Sequence, residues 1–281
     1  MPLSVLIQYL LPKRWLTQLA GALASRRLGW FTRWAIARFV TRYGVDMAEA
    51  EHADPAAYPS FNAFFGRALR PEARPLHPDA HWLCPVDGSV SQFGALRHGQ
   101  LLQAKGHHYD VAALLGAQDD WTQALGAGHF ATLYLSPRDY HRIHMPCDAQ
   151  LRRMVYVPGD LFSVNPQTAQ HVPGLFARNE RVVCLFDTTD GPLAMVLVGA
   201  TVVGSVATTW HGVVHPPRQA VPQRWDYDSA PPALRRGQEM GRFLLGSTVV
   251  LVWSTPALRW ADAMTPGAPV RMGQALAWRA Q

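Results

Sequence analysis

The sequence predicts an α+β protein in which N-terminal amphipathic helices are followed by a β-rich, mainly antiparallel body. Apolar residues recur with helical spacing over the first 44 positions, whereas from about residue 83 short runs of Val, Leu and Phe alternate with Gly, Pro and Asp. The first pattern is typical of helices with one apolar face, and the second of short strands joined by turns. We expect a helical segment at 1–59 and a β-rich domain at 60–281. Of the 281 residues 48% are hydrophobic, which is enough for a sizeable core.

The helical segment combines apolar stripes with positive charge. Its apolar positions are Leu3, Leu6, Ile7, Leu10 and Leu11, then Trp15, Leu16, Leu19, Ala20 and Leu23, and finally Phe31, Trp34, Ala35 and Phe39. Its basic residues are Lys13, Arg14, Arg26, Arg27, Arg33, Arg38 and Arg42, and no acidic residue precedes Asp46. This composition is typical of helices that lie in a membrane interface. The alternative is an ordinary helical subdomain packed on the core, with its arginines in water.

The β-rich domain begins after a short helix that Ser60 is placed to cap. Strands are predicted at 86–93, 130–135, 151–157, 181–186, 193–198, 201–209 and 248–253, and a helix at 111–115. Residues 195–217 lack charged side chains, but glycines and prolines interrupt them, so buried strands explain them better than a membrane-spanning helix. No cleavable signal peptide is evident.

Composition narrows the function classes. The net charge of +6 and the pI near 9.5 suggest an anionic partner, which could be nucleic acid, a membrane surface or a phosphorylated substrate. Cys84, Cys147 and Cys184 lie far apart and form no CxxC pair. They therefore argue against a disulfide framework and a cysteine zinc site, and favour buried thiols in a reducing cytoplasm.

Gly246-Ser247 is the first of three motifs that could carry chemistry. A glycine before a nucleophile leaves its carbonyl open to close approach, although a Gly-Ser pair is more often a turn or bulge. His141 and His144 lie in a polar stretch, 136–146, and a histidine can act as a general acid or base near neutral pH. Asp87 precedes a glycine, as in many turns. Spacing alone does not bring these groups together, because a triad is defined by geometry.

Two further stretches leave several interpretations open. Lys105, His107 and His108 could bind a metal or form a loop that reaches a phosphate, and neither interpretation is strong. Residues 156–165 are typical of a shaped loop whose Asp and Asn cap turns.

Taken together, these motifs resemble the bacterial, membrane-bound type of phosphatidylserine decarboxylase. The resemblance rests on residues 61–67, 85–88, 104–106, 134–146, 156–165, 176–181, 237–241 and 245–248, the last being the Leu-Gly-Ser-Thr of that family's self-cleavage site. It covers most of the chain.

The resemblance implies that Asp87, His144 and Ser247 form a self-processing triad. His144 would take the proton of Ser247, Asp87 would orient and stabilise the imidazolium, and Ser247 Oγ would attack the carbonyl of Gly246. The resulting ester would eliminate, and Ser247 would become a pyruvoyl group that forms a Schiff base with the substrate amine and withdraws electrons as CO₂ departs. His141 resembles the family's candidate proton donor.

The same resemblance implies cleavage into a β chain, 1–246, and an α chain, 247–281, which remain together as a heterodimer, with a dimer of heterodimers as a further expectation. The expected partners are phosphatidylserine and, through the basic N-terminal helices, the cytoplasmic face of the cell membrane, where the enzyme would be peripheral. No metal and no nucleic acid are expected. Two alternatives stay open, a serine hydrolase that uses the same three residues and a non-catalytic lipid-binding protein, and both predict an intact chain.

Overall fold

A computed structural model describes residues 2–104, 106–201, 205–214, 221–244, 247–255 and 257–280, and for Arg14 and Ser247 it describes the backbone alone. Its α-helices are α1 (Leu3–Leu10), α2 (Lys13–Ser25), α3 (Trp30–Tyr43), α4 (Phe61–Phe65), α5 (Val111–Leu115), α6 (Asp120–Leu125), α7 (Pro166–Ala169) and α8 (Leu175–Arg178). Short 3₁₀ turns lie at Pro55–Ala57 and Pro71–Ala73.

The strands are β1 (Trp82–Leu83), β2 (Gly88–Ala95), β3 (Gln100–Ala104), β4 (His107–Asp110), β5 (His129–Leu135), β6 (Arg142–His144), β7 (Ala149–Val157), β8 (Arg181–Thr188), β9 (Gly191–Val198), β10 (Val206–Thr208), β11 (Gly212–Val213), β12 (Gln223–Asp226), β13 (Ala233–Leu234), β14 (Glu239–Phe243), β15 (Ser247–Trp253), β16 (Leu258–Trp260), β17 (Pro269–Val270) and β18 (Ala275–Arg279).

The body is built around a nine-stranded sheet of order β12-β7-β8-β9-β15-β5-β2-β17, with β13 also paired to β7. Smaller sheets have the orders β11-β10-β14-β6, β1-β18-β16 and β3-β4. Neighbouring strands are antiparallel, as the turn-rich sequence predicts. The α+β class is therefore confirmed.

Local sequence patterns predicted the positions of most of the longer helices and strands. The third N-terminal helix spans the predicted residues 30–43, the helix at 111–115 is α5, and the Ser60 side chain accepts a hydrogen bond from the Ala63 amide as the cap of α4. The strand predicted at 201–209 is shorter, since β10 covers Val206–Thr208 and residues 202–204 lie outside the described part. The histidines of the predicted 105–108 loop belong to β4, and Lys105 lies outside the described residues.

The N-terminal helices dock on the body by one side only. In α1, Val5 is fully buried in the core and Gln8 accepts a hydrogen bond from the Ser163 amide at 2.8 Å. Helix α3 packs Ile36 against Phe64 of α4. The predicted apolar stripe, however, faces outward, because Leu3, Leu6, Leu10, Trp15, Leu19, Trp30 and Trp34 are all exposed. Within the described residues, no helix is both long enough and apolar enough to span a membrane.

Candidate active site

The backbone brings the predicted triad to one end of the nine-stranded sheet. Ser247 opens β15 and is paired with Leu135 of β5, whose other edge is paired with β2. Asp87 immediately precedes β2. Since neighbouring strands lie about 4.8 Å apart, two strand spacings place the backbone of Ser247 about 10 Å from the start of β2. Gly246 lies outside the described residues, as does the side chain of Ser247.

The two histidines lie next to the chain that leads to the predicted cleavage site. His144 ends β6, where it is paired with Glu239 of β14. The carbonyl of His141 accepts a hydrogen bond from the amide of Phe243, the last residue of β14. Only three residues lie between Phe243 and Ser247, so the contacts of His141 and His144 with β14 place both histidines near the chain that leads to Ser247. The polar stretch 136–146 is thus partly a strand.

His144 is held as a neutral imidazole with a basic Nε2. Its Nδ1 lies 2.9 Å from the carbonyl of Gly237, which can only accept, so Nδ1 carries the proton. Its Nε2 lies 3.0 Å from the hydroxyl of Tyr140, which donates to it. Burial lowers the pKa of His144, and the nearby charge of Arg142 lowers it further. This tautomer is the one a general base needs.

Gly237 has a backbone conformation that suits glycine. Its φ is +79°, and a Cβ at this position would lie 2.4 Å from Leu76 Cδ1. A side chain here would therefore strain the turn and displace the carbonyl that fixes His144. Residues 237–241 carry part of the family resemblance, but the sequence alone does not predict that the Gly237 carbonyl binds His144.

Asp87 is held by different groups from those that the resemblance implies. The Arg74 guanidinium donates from Nε to Oδ1 at 2.9 Å, and the Met272 amide donates to the same oxygen at 2.9 Å. Arg74 also pairs with Glu49. Burial alone would lower the pKa of Arg74, but the hydrogen bonds to Asp87 and Glu49 raise it.

The carboxylate of Asp87 therefore influences His144 through space. It acts to raise the pKa of His144, although burial has the larger, opposite effect. Among the described residues, the direct partners of the imidazole are the Gly237 carbonyl and the Tyr140 hydroxyl. The structure thus brings Asp87 close to His144 without placing it on Nδ1.

His141 is completely buried and neutral. Its Nδ1 donates to the Asp139 carbonyl at 2.7 Å, and its ring lies 4.0 Å from that of Phe65. Within the described part of the chain, its Nε2 has no hydrogen-bond partner. Burial lowers the pKa of His141 to about 3. His141 must therefore take up a proton on Nε2 before it can donate one from that atom.

A polar cavity of about 260 Å³ adjoins these groups. Asp87, Gly88 and Tyr140 line its sheet side, and Gly44 and Asp46, directly after α3, line its helix side. Four arginines contribute to the wall, namely Arg67, Arg74, Arg138 and Arg271. The cavity therefore connects the predicted triad with the N-terminal helices.

Sequence reasoning missed Arg74, Tyr140 and Arg67 as individual site residues. Arg74 and Asp87 are 13 residues apart, and Gly237 and His144 are 93 apart, so no local pattern joins them. A signal for Arg67 did exist, because it lies two residues after the aromatic run 61–65 that buries α4. A charged side chain close to such a run is expected to be partly buried.

Comparison with known proteins identifies the family. The family model described as phosphatidylserine decarboxylase matches residues 61–277, and a second model, described as PSD, matches residues 3–44. The chain belongs to the phosphatidylserine decarboxylase family. It is 59% identical over 278 residues to the phosphatidylserine decarboxylase proenzyme of Delftia acidovorans, covering 99% of this chain and 98% of that protein.

Other relatives in the phosphatidylserine decarboxylase family agree. The proenzyme of Acidovorax ebreus is 60% identical, with 99% of this chain and 98% of the relative covered. That of Polaromonas naphthalenivorans is 59% identical, with coverage of 98% and 96%. The family resemblance and the enzyme class predicted from the sequence are therefore confirmed.

Proposed function

We propose that this protein decarboxylates phosphatidylserine to phosphatidylethanolamine and CO₂, after cutting itself between Gly246 and Ser247. The observation that carries the proposal is the half-buried, neutral His144 with its basic Nε2, next to the chain that leads to residue 247 in a member of this family. The printed name of the relatives, a proenzyme, supports maturation by cleavage.

In maturation, His144 Nε2 accepts the hydroxyl proton of Ser247, whose Oγ attacks the carbonyl carbon of Gly246. The amide C–N bond breaks, an ester forms, and the proton passes to the freed amine. Elimination then gives the carboxylate of Gly246 and a dehydroalanine, which water hydrolyses to a pyruvoyl group and ammonia. Because the Tyr140 hydroxyl occupies Nε2 at rest, it must either yield this position to Ser247 or relay the proton.

Asp87 supports this step through its charge. The imidazolium that forms on His144 is stabilised by the Gly237 carbonyl at Nδ1 and by the nearby carboxylate. Arg74 and the Met272 amide fix that carboxylate in place. In this proposal Asp87 stabilises the imidazolium of His144 through its charge, whereas the Gly237 carbonyl, and not Asp87, orients the ring and sets its tautomer.

The residues around position 247 suit a pyruvoyl group. Residue 247 is the first position of β15, so cleavage would leave it as a chain terminus. The buried Nε2 of His141, which has no hydrogen-bond partner among the described residues, lies near the chain that leads to residue 247. When present, the pyruvoyl carbonyl supplies the electron sink for decarboxylation. His141 would hold and return the proton that the product carbon needs.

The helical segment 1–59 would bring the catalytic domain, 60–281, to the cytoplasmic face of the membrane. Its exposed apolar stripe and its exposed arginines, which include Arg26, Arg33 and Arg38, match an interfacial helix. A lipid with two acyl chains leaves a bilayer at a cost of about 0.8 kcal/mol per CH₂, so the enzyme must go to its substrate. Chains 1–246 and 247–281 would act as a heterodimer, with pairing of two such units as a further step.

One denaturing gel with intact-mass analysis tests maturation. The purified protein should give two chains, the smaller beginning at a blocked residue 247. Ser247→Ala and His144→Ala should remain uncut, whereas the matched control His171→Ala, at a histidine on a surface turn, should be cut like the parent protein. An active protein that consists of a single full-length chain would refute the mechanism, and labelling of that chain by a fluorophosphonate would favour the hydrolase alternative.

Turnover is tested separately with the cleaved enzyme. His141→Ala should lower the rate of CO₂ release from phosphatidylserine vesicles more than it lowers the extent of cleavage. The reason is that His141 is proposed to carry a proton in decarboxylation, after the chain is cut. Normal decarboxylation by this variant would remove His141 from its role as proton carrier.

A further inference from the structure

We infer that Arg67, with Arg138 and Arg271 at the rim, forms a subsite for the phosphodiester of the phosphatidylserine headgroup. This inference rests on the proposed function and names the part of the substrate that the polar cavity holds. Arg67 lines that cavity at the end of α4.

Arg67 is a buried cation with incomplete hydrogen bonding. It is only 4% exposed, and its Nε and Nη1 have no hydrogen-bond partner among the residues that the structure describes. Its Nη2 donates to the carbonyl of Arg138 at 3.2 Å, and its guanidinium lies over Phe64. Burial lowers the pKa of Arg67 from an ordinary value so high that the group stays charged. A buried charge without an ionic partner is costly, which points to a ligand that supplies the anion.

The carboxylates of the cavity are already engaged. Glu49 pairs with Arg74 and Arg271, and Asp87 pairs with Arg74. Asp139 accepts a hydrogen bond from the Ser136 amide, and Asp46 accepts one from the Ala48 amide. No carboxylate of a described residue lies within ion-pair distance of Arg67. Arg67 therefore differs from Arg74 in the same wall, whose charge is neutralised by contact.

Two further arginines can complete the subsite from its rim. The side chains of Arg138 and Arg271 are 67% and 58% exposed, so both can turn toward a ligand in the cavity. Arg138 lies 3.8 Å from Asp139, at the limit of an ion pair, and this weak contact is easily exchanged for a phosphate oxygen. Arginine forks suit phosphate oxygens because they can donate two hydrogen bonds at once.

Decarboxylation chemistry assigns this subsite to the phosphate and not to the carboxylate of the substrate. The carboxylate loses its charge as CO₂ leaves, so an arginine on it would stabilise the bound substrate more than the transition state. The phosphodiester keeps its charge throughout, so holding it costs nothing in the chemical step. Asp87 and Tyr140 line one side of the cavity, and Gly44 and Asp46, which follow α3, line another, so a headgroup can lie between Asp87 and the helical segment.

The test compares Arg67→Met and Arg67→Lys with the control Arg224→Met, which removes an exposed arginine on β12, at the opposite edge of the large sheet. Cleavage is read on a gel, and decarboxylation is measured in detergent micelles that contain phosphatidylserine. Glycerophosphoethanolamine, which has the phosphodiester but no carboxylate and no acyl chains, serves as a competitive inhibitor. Inorganic phosphate serves as a second inhibitor.

For Arg67→Met we expect normal cleavage, a fall in kcat/KM of about tenfold or more, carried by KM, and an equal rise in the inhibition constant of glycerophosphoethanolamine. Arg67→Lys should recover part of the loss, and Arg224→Met should match the parent. Inorganic phosphate should inhibit at least about tenfold more weakly than the diester. Inhibition by phosphate at equal strength would overturn the headgroup assignment in favour of a free-phosphate site.

A rise in KM with an unchanged inhibition constant would overturn the inference by assigning Arg67 to the carboxylate. Unchanged values of both would show that Arg67 has no part in binding. If Arg67→Met fails to mature, binding of glycerophosphoethanolamine is measured by calorimetry on the uncleaved Ser247→Ala protein with and without Arg67→Met, and equal affinities again overturn the inference. A parent protein that binds the diester through Arg67 but never decarboxylates would instead refute the proposed function alone.

Discussion

The N-terminal helices expose the kinds of large apolar side chain that the central sheet buries. Leu10 of α1 is 82% exposed and Trp15 of α2 is 76% exposed, whereas Leu251 in the middle of β15 is fully buried. The sheet is therefore stabilised by its own packing, while the helices carry apolar surface that the folded chain does not cover. The difference separates two kinds of apolar residue within one sequence, those that stabilise the fold and those that we propose contact lipid.

The largest effect expected from this comparison is on folding stability. Leu251→Ala should lower the free energy of unfolding by about 2–5 kcal/mol, because it leaves a cavity in the sheet. Leu10→Ala should change it by less than about 0.5 kcal/mol, since its side chain is mostly in water. Urea unfolding in the uncleaved Ser247→Ala background measures both. Similar losses at the two leucines would show that α1 packs as part of the core.

The next effect concerns the pH dependence of the body. The pKa of His141 is about 3 in the folded protein, below its ordinary value near 6.5, so the unfolded chain binds the extra proton first. His141 should therefore cost no stability above pH 6.5 and about 2 kcal/mol at pH 5. His141→Gln, also in the Ser247→Ala background, should remove that part of the loss between pH 7.5 and pH 5. An unchanged pH profile in this variant would contradict the burial of a neutral imidazole.

A smaller effect is expected at the basic face of the helices. Arg38→Gln should weaken binding to anionic vesicles by about 1 kcal/mol, and high salt should remove the difference. Arg224→Gln on β12 is the matched control and should bind like the parent. Leu10→Ala should weaken binding to anionic and neutral vesicles alike, since its contribution does not depend on charge. Equal behaviour of Arg38→Gln and its control at low salt would remove this face from membrane contact.

Periodicity predicted the parts of the fold that depend on neighbours in sequence. The helix Trp30–Tyr43 and the strands around Leu133, Val183 and Val250 follow from spacing and β-branched composition. Short elements such as β6 and the β3–β4 hairpin were not predicted, since three to five residues carry too little pattern. The hairpin also places His107 and His108 on a strand where the sequence indicated a loop.

The site was predictable as a set of chemical groups but not as a set of contacts. The family resemblance named Asp87, His141, His144 and Ser247, and these roles remain predictions. It did not reveal that the Gly237 carbonyl, and not Asp87, accepts the hydrogen bond from His144 Nδ1. Such contacts are decided by how β6, β14 and the turn before it pack, which is long-range information that a single sequence does not display.

The position of β15 affects whether the protein can refold once the chain has been cut. This strand lies between β9 and β5, and the segment that follows it supplies β17 to the edge of β2 and β18 to the edge of β1. A chain cut before Ser247 would thus be held together by three strands, β15, β17 and β18, that pair with four strands of the other piece, with no covalent link between the pieces once they separate. The precursor can refold in a unimolecular reaction, whereas the mature enzyme must reassemble from two pieces at a rate that depends on concentration. After heating, the mature enzyme would therefore regain its active centre more slowly than the precursor regains its fold, and more slowly still as the protein is diluted.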